Sequence, residues 1–354
     1  MRNILVILLF ITNHVFSQKE KLDSLFAANK DFSGVVLIAE NHKPVYYKAF
    51  GYREFEKQIP LKTSDIFELA SVSKQFTAMI IMMLKEKGLL NYDDSVSKYV
   101  DIPYKGITIR NLLTHTSGLP DYQAVMDQYW DKTKVAGNPD CIEYLNKYAP
   151  PKLVEPGEKY TYSNTGYLLL ASIAEKASGK DFIEMCRQWI FNKLKMKSTG
   201  IRTLEQKKAT KNFAIGHMYI EERNKYVRAD SFPSSNYTIW LGNRKGPGRV
   251  SSTAADLLKW DRAHYGNHLI KQTTLEDAFT PMKLNDGTFS NYGFGWELRN
   301  DPILGKIVQH NGDNPGYKTQ IVRLIDKNKT IIVLNNNAIP NFSMLLKQIE
   351  EIIK

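Results

Sequence analysis

Strand-like and helix-like patterns are segregated along this chain: β-rich runs occupy its two ends and helical periodicity fills the middle. Near the N-terminus, Val35–Ala39 and Val45–Phe50 flank the polar Glu40-Asn41-His42-Lys43, which is a hairpin signal. Toward the C-terminus come Lys306–His310 and Thr319–Ile325, a turn at Asp326-Lys327-Asn328-Lys329, then Thr330–Leu334. The last stretch, Asn341–Lys354, spaces Met344, Leu345, Ile349, Ile352 and Ile353 as a helix does. Between these ends Ser71–Lys87, Cys141–Tyr148, Gly166–Ala177, Asp181–Leu194 and Thr253–His264 read as helices. The economical arrangement is an α+β fold: an antiparallel sheet built from both chain ends, flanked by helices, with a mostly helical region (about 75–235) inserted. Lys207–Arg249 is polar, basic and aromatic without clean periodicity, and is expected to form long loops.

The 354 residues allow one large domain with ample chain for a core. Two cysteines exclude a disulfide framework and any multi-cysteine metal cluster. Cys141 and Cys186 are expected as buried free thiols, since nothing in the sequence brings them together. Met1–Ser17 reads as a secretory signal peptide: Arg2 is followed by the apolar run Ile4–Ile11, and Val15-Phe16-Ser17 supplies a cleavage site. The mature domain is then 18–354, exported to a periplasmic or extracellular space. No later stretch approaches the ~20 apolar residues of a membrane span.

With 48 Lys+Arg against 37 Asp+Glu the chain carries +11, and removing Arg2 leaves +10 on the mature domain. An exported protein without a nucleic-acid reader motif gives such a balance no nucleic-acid meaning. The cations of the loops between Lys207 and Arg249 read as a solvated face, with attraction to acidic cell-envelope polymers as the functional variant. His264 and His268 have the i,i+4 spacing of metal ligands, but Gly266 lies between them and no H-E-x-x-H is present, so no metal or other cofactor is expected.

Three short motifs carry chemistry, and each has decoys. Ser71-Val72-Ser73-Lys74 is an S-x-x-K match, and so is Ser95-Val96-Ser97-Lys98. Only Ser71 opens a strongly helical run, with Ala78, Met79, Ile81, Met82 and Met83 following. A serine there sits beside exposed backbone N–H groups and the positive end of the helix dipole. Lys74, three residues on, shares its face, and burial would lower the amine pKa until it can take the serine proton. Tyr162-Ser163-Asn164 is a Y-x-N triplet in a loop before a helix, whereas Tyr144-Leu145-Asn146 lies within a helix and Tyr265-Gly266-Asn267 in a turn. His310-Asn311-Gly312 ends one strand just before another.

Together, in this order, the motifs resemble the penicillin-recognising serine hydrolases: class C β-lactamases, D-alanyl-D-alanine carboxypeptidases and related esterases and D-aminopeptidases. The resemblance extends to Leu112-Leu113-Thr114-His115-Thr116-Ser117-Gly118-Leu119-Pro120, Pro156-Gly157, Ser252-Thr253-Ala254-Ala255-Asp256-Leu257, Tyr292-Gly293-Phe294-Gly295-Trp296 and Pro315-Gly316-Tyr317, so it covers nearly the whole mature chain. It implies a β-lactamase/transpeptidase-like fold and an acyl-enzyme on Ser71. Lys74 and Tyr162 would share the acid and base work, the phenol made more acidic by the amine. Asn164 would bind Lys74 and the substrate amide, the N–H groups of Ser71 and Asp313, the residue after Gly312, would form the oxyanion hole, and His310 and Gly312 would line the substrate side of the same strand.

The chain departs from the β-lactamase pattern at His310, where those enzymes usually carry lysine, and at Asn311, where they carry Thr or Ser. A histidine is mostly neutral at pH 7 and gives no permanent cation for a substrate carboxylate. A small ester or a D-amino-acid peptide is therefore expected ahead of a β-lactam. The alternative is an inactive member of the fold acting as a binding or cell-wall interaction protein. A Ser-His-Asp triad of the α/β-hydrolase kind is disfavoured by the absence of G-x-S-x-G. Phe232, Tyr237 and Trp240 could line the cleft or belong to the core, and His115 is expected to order its loop.

Overall fold

The computed structural model of the chain describes residues 17–354. The expected signal peptide therefore lies almost wholly outside the described residues. Six strands form the main sheet: β1 (Gly34–Glu40), β2 (Lys43–Phe50), β3 (Glu297–Asp301), β4 (Gly305–Asn314), β5 (Tyr317–Leu324) and β6 (Lys329–Asn335). Their spatial order is β3-β4-β5-β6-β1-β2, with every neighbouring pair antiparallel. The chain ends thus meet along β1 and β6, where Val36 lies opposite Val333 and Ile38 opposite Ile331.

The two-residue period of the strands divides the interior into two cores. Val36 and Ile38 with Val322, Ile331 and Val333 face Leu22 and Phe26 from helical residues 17–28, and Leu345, Ile349 and Ile353 from the helix Phe342–Ile353. Val35 and Leu37 with Val308, Ile321, Ile332 and Leu334 face the inserted helical body. At the centre of that body runs Lys74–Glu86, buried from Lys74 through Leu84, as expected of a helix apolar all round. Arg323 on β5 ties the sheet to the helix Ala254–Arg262 through Asp261 at 2.6 Å, both side chains being 1% exposed.

The region expected to be loops holds more order than its pattern predicts. The helix Leu204–Ala209 runs into it, and it contains a hairpin of His217–Ile220 with Lys225–Arg228 and the helix Tyr237–Trp240. Strands of four residues are too short to display alternation, and Asn224 closes their turn in the left-handed region at φ 46°. Asp181–Leu194 begins as the helix Phe182–Met185 and continues as a π-helix, Cys186–Phe191. Trp240 belongs to the core, and Cys141 and Cys186 are free buried thiols.

Candidate active site

The nucleophile turn is held on three sides. Phe67–Glu68 pairs with Val250–Ser252, and the chain then reverses at Ala70, whose φ of 48° is left-handed although it is not glycine. Leu69 donates its N–H to Val250 O at 2.9 Å, while Thr319 on β5 donates its hydroxyl to Leu69 O at 2.9 Å. Ser73 Oγ accepts the Val250 N–H at 3.0 Å. A single 3₁₀ turn, Ala70–Ser73, then carries Ser71 to the head of the helix Lys74–Glu86. Gly312 on β4 is required here: a Cβ on it would lie 2.2 Å from Leu69 O and 2.3 Å from Thr319 Oγ1. Strand and nucleophile turn consequently lie backbone against backbone, with Asp313 next in β4.

Lys74 is wholly buried, and its Nζ lies 3.0 Å from Ser71 Oγ, 2.8 Å from Asn164 Oδ1 and 2.9 Å from Pro247 O. Burial holds its pKa well below the usual lysine value, and the Arg244 charge lowers it further. A neutral amine so placed has a lone pair for the Ser71 proton. Ser95, by contrast, is exposed and engages Ser97 Oγ at 2.7 Å, while Lys98 turns to Asp94 at 3.2 Å. Tertiary placement, not the four letters, separates the two motifs.

Tyr162 reaches the site from the segment before the helix Asn164–Ser178. Ser163 caps that helix by accepting the Gly166 N–H at 3.1 Å. His115 holds the segment from below: its carbonyl accepts the Thr161 N–H at 2.7 Å and its Nδ1 accepts the Ser163 N–H at 3.0 Å. The Lys74 amine lies 4.8 Å from the centre of the Tyr162 ring, and the Ser71 side chain hydrogen-bonds the phenol. Although Tyr162 as a whole is 40% exposed, desolvation around its hydroxyl, which faces Ser71, pushes the phenol pKa up, opposite to the expected acidification. The physical reason is that the burial that neutralises the amine also removes the cation that would have acidified its neighbour.

His310 faces the same side of the sheet as Gly312, but its ring is wholly buried. Its Nδ1–H donates to Asn311 O at 2.6 Å and its Nε2 accepts the Tyr292 hydroxyl at 2.8 Å. Burial lowers its pKa to about 3. Both ring nitrogens are committed, so His310, expected to bind substrate, instead stands behind the site: its ring is closed off by Tyr292 and by its own strand. His115, also with a pKa lowered well below the usual histidine value by burial, packs 4.3 Å from Tyr162 and 4.6 Å from Tyr292 between ring centres. Tyr237 approaches from the opposite wall, its hydroxyl 3.5 Å from Asn314 Oδ1 and its ring 5.4 Å from the Arg244 guanidinium. The candidate metal ligand His264 is instead buried edge-on against Trp260 and Trp296.

Motif reading missed two contributors. Pro247 O accepts a hydrogen bond from the Lys74 amine at 2.9 Å, and Gly246 O accepts one from the Thr77 hydroxyl at 2.8 Å. Gly246 adopts φ +107°, and a Cβ on it would strike Tyr167 O at 2.1 Å. The signal was present as the turn-forming Gly246-Pro247-Gly248, at the end of the stretch whose basic and aromatic residues read as long loops.

Known proteins resemble this chain over most of its length. Residues 22–350 match the family described as Beta-lactamase. The chain is 41% identical over 326 residues to "Penicillin-binding protein 4*" of Bacillus subtilis (strain 168), covering 90% of this chain and 72% of that protein. It is 27% identical over 344 residues to "Teichoic acid D-alanine hydrolase" of Staphylococcus aureus (strain MRSA252), covering 93% and 76%. Among solved structures, the octameric penicillin-binding protein homologue from Pyrococcus abyssi superposes with a TM-score of 0.80 at 26% identity, covering 95% of this chain and 77% of that one.

Proposed function

The chain belongs to the beta-lactamase family and is a serine hydrolase, and from that premise we propose that it is an exported enzyme acylated on Ser71 by small esters or amides of D-amino acids. The observation that carries the mechanism is the 3.0 Å contact between Ser71 Oγ and a wholly buried Lys74 amine. Neutral Lys74 takes the serine proton as Oγ bonds to the substrate carbonyl carbon. The tetrahedral oxyanion rests on the N–H groups of Ser71 and Asp313, the former favoured by the adjoining helix N-terminus. Collapse breaks the bond to the leaving alcohol or amine, which takes a proton from the Tyr162 phenol, and the Lys74 ammonium then restores that proton. Water repeats the sequence on the acyl-enzyme. Asn164, anchored by Lys74 at 2.8 Å through Oδ1, keeps its amide N–H₂ for the substrate carbonyl side.

Two features support the substrate class. The neutral, internally bonded His310 offers no cation for a β-lactam carboxylate, and one relative is named for D-alanine hydrolysis. Export rests on the pattern of Met1–Ser17. A parallel screen of p-nitrophenyl esters, D-alanyl-D-alanine peptides and a chromogenic cephalosporin is the test. Short-chain ester hydrolysis with poor cephalosporin turnover is expected, together with fluorophosphonate labelling that Ser71→Ala abolishes without loss of fold. Hydrolysis unchanged in Ser71→Ala overturns the assignment, and a protein that no serine probe labels returns the inactive binding role.

A further inference from the structure

A cavity of about 370 Å³ lies beside the nucleophile turn and is lined by eight Lys and Arg against three acids. It meets the active site at Arg244 and at Asn314, the residue after Asp313. Half of its cations are matched: Arg53 with Asp65, Lys57 with Glu54, Lys207 with Glu68 and Arg228 with Asp230. Among the described residues, Lys208, Lys211, Arg244 and Arg249 have no carboxylate within ion-pairing distance. Arg244 and Arg249 are each only 7% exposed, and the Nε of each is buried without a hydrogen-bond partner. Arg244 spends one nitrogen on Tyr122 Oη at 3.1 Å, and Arg249 spends one on Arg202 O.

Two buried guanidinium groups with unmet donors are costly to keep unless an anion can reach them. Their planar forks match the oxygens of a carboxylate or a phosphate, and the exposed Lys208 and Lys211 extend the positive field outward from the buried pair. At strand position 310, where a lysine would have served this purpose, the side chain is neutral and closed off. We propose that this cavity is an anion-binding subsite, with Arg244 and Arg249 as its anchors, that receives an oxyanion group carried by the substrate. Its place as a substrate subsite rests on the hydrolase reading above; its affinity for anions does not.

The test is titration calorimetry on the Ser71→Ala protein at low ionic strength, with inorganic phosphate in one arm and acetate in the other. Saturable binding of either anion supports the subsite, and the tighter one says whether the substrate group is a phosphate or a carboxylate. Arg249→Gln is expected to weaken binding by about tenfold, with Arg249→Lys recovering part of it. Lys208→Ser, on the exposed rim where folding is not at stake, is expected to weaken it by about two- to threefold. Binding of neither anion, or equal binding by the parent, Arg249→Gln and Lys208→Ser, overturns the proposal. Failure of Ser71 labelling in the unaltered enzyme would overturn the hydrolase reading alone, because these titrations involve no turnover.

Discussion

His115 Nδ1 accepts the backbone N–H of Ser163 at 3.0 Å, and this one bond sets where the residues on either side of Ser163 can be. Tyr162 and Asn164 flank it, so a histidine that touches no reacting atom places both the phenol and the amide. Because Nδ1 accepts, the ring proton is on Nε2, and the ring is neutral within a wall of tyrosines.

Replacing His115 by Ala removes that acceptor and leaves the Ser163 N–H buried. Losing such a bond costs about 1–3 kcal/mol, so kcat is expected to fall by roughly 10- to 100-fold with a smaller change in KM. His115→Asn, able to accept the same N–H and tolerant of the φ of 56° there, should recover much of the rate. Equal loss in both variants would place the effect in ring packing instead.

Gly312→Ala pushes a methyl into Leu69 O and Thr319 Oγ1. The strand and the nucleophile turn must part, which costs about 1–3 kcal/mol of stability. Fluorophosphonate labelling of Ser71 is expected to slow by at least about 100-fold, because the two N–H groups of the oxyanion hole lie on the separated segments. Unaltered labelling kinetics would show that β4 does not complete the site.

Acid should destabilise the fold through its histidines. His310 titrates at about 3 when folded against 6.5 unfolded, so below 6.5 the unfolded chain binds a proton that the folded one refuses. Stability present above pH 6.5 is lost as pH falls toward 3, by about 2 kcal/mol at pH 5 from this residue alone. His115, His217 and His264 are shifted the same way by burial. Urea unfolding at pH 7 and pH 5 measures the slope, and His310→Gln is expected to flatten it. The lowered Lys74 pKa has a separate consequence: folding becomes more favourable as pH rises from that lowered value toward 10.5. The acid limb of kcat/KM is therefore assigned to the amine and should keep its position in His310→Gln.

Arg323→Met leaves Asp261 buried without its 2.6 Å partner between sheet and helix. A loss of about 3–5 kcal/mol is expected in equilibrium unfolding. The double variant Arg323→Met/Asp261→Leu should recover most of it, since a buried pair replaced by apolar groups is often neutral. A double variant as unstable as the single one would show that the helix Ala254–Arg262 depends on the charge itself.

Much of this architecture follows from local pattern. Short, continuous β-branched runs such as Val35–Ala39 and Thr330–Leu334, bounded by polar turns, read as strands buried on both faces, and helical spacing after Ser71 places Lys74 over it within a single turn. The order of Ser71, Tyr162 and His310 was enough to name the family, because each motif is a short-range constraint carried within a few residues. What no local pattern contains is burial. Whether Lys74 is neutral and whether the Tyr162 phenol becomes more or less acidic depend on water excluded by segments brought together across the chain, and whether His310 meets substrate or Tyr292 is decided by how two neighbouring segments close on each other. Pro247, Thr319 and Arg244 reach the nucleophile across such separations, and only the closed structure assigns them their parts.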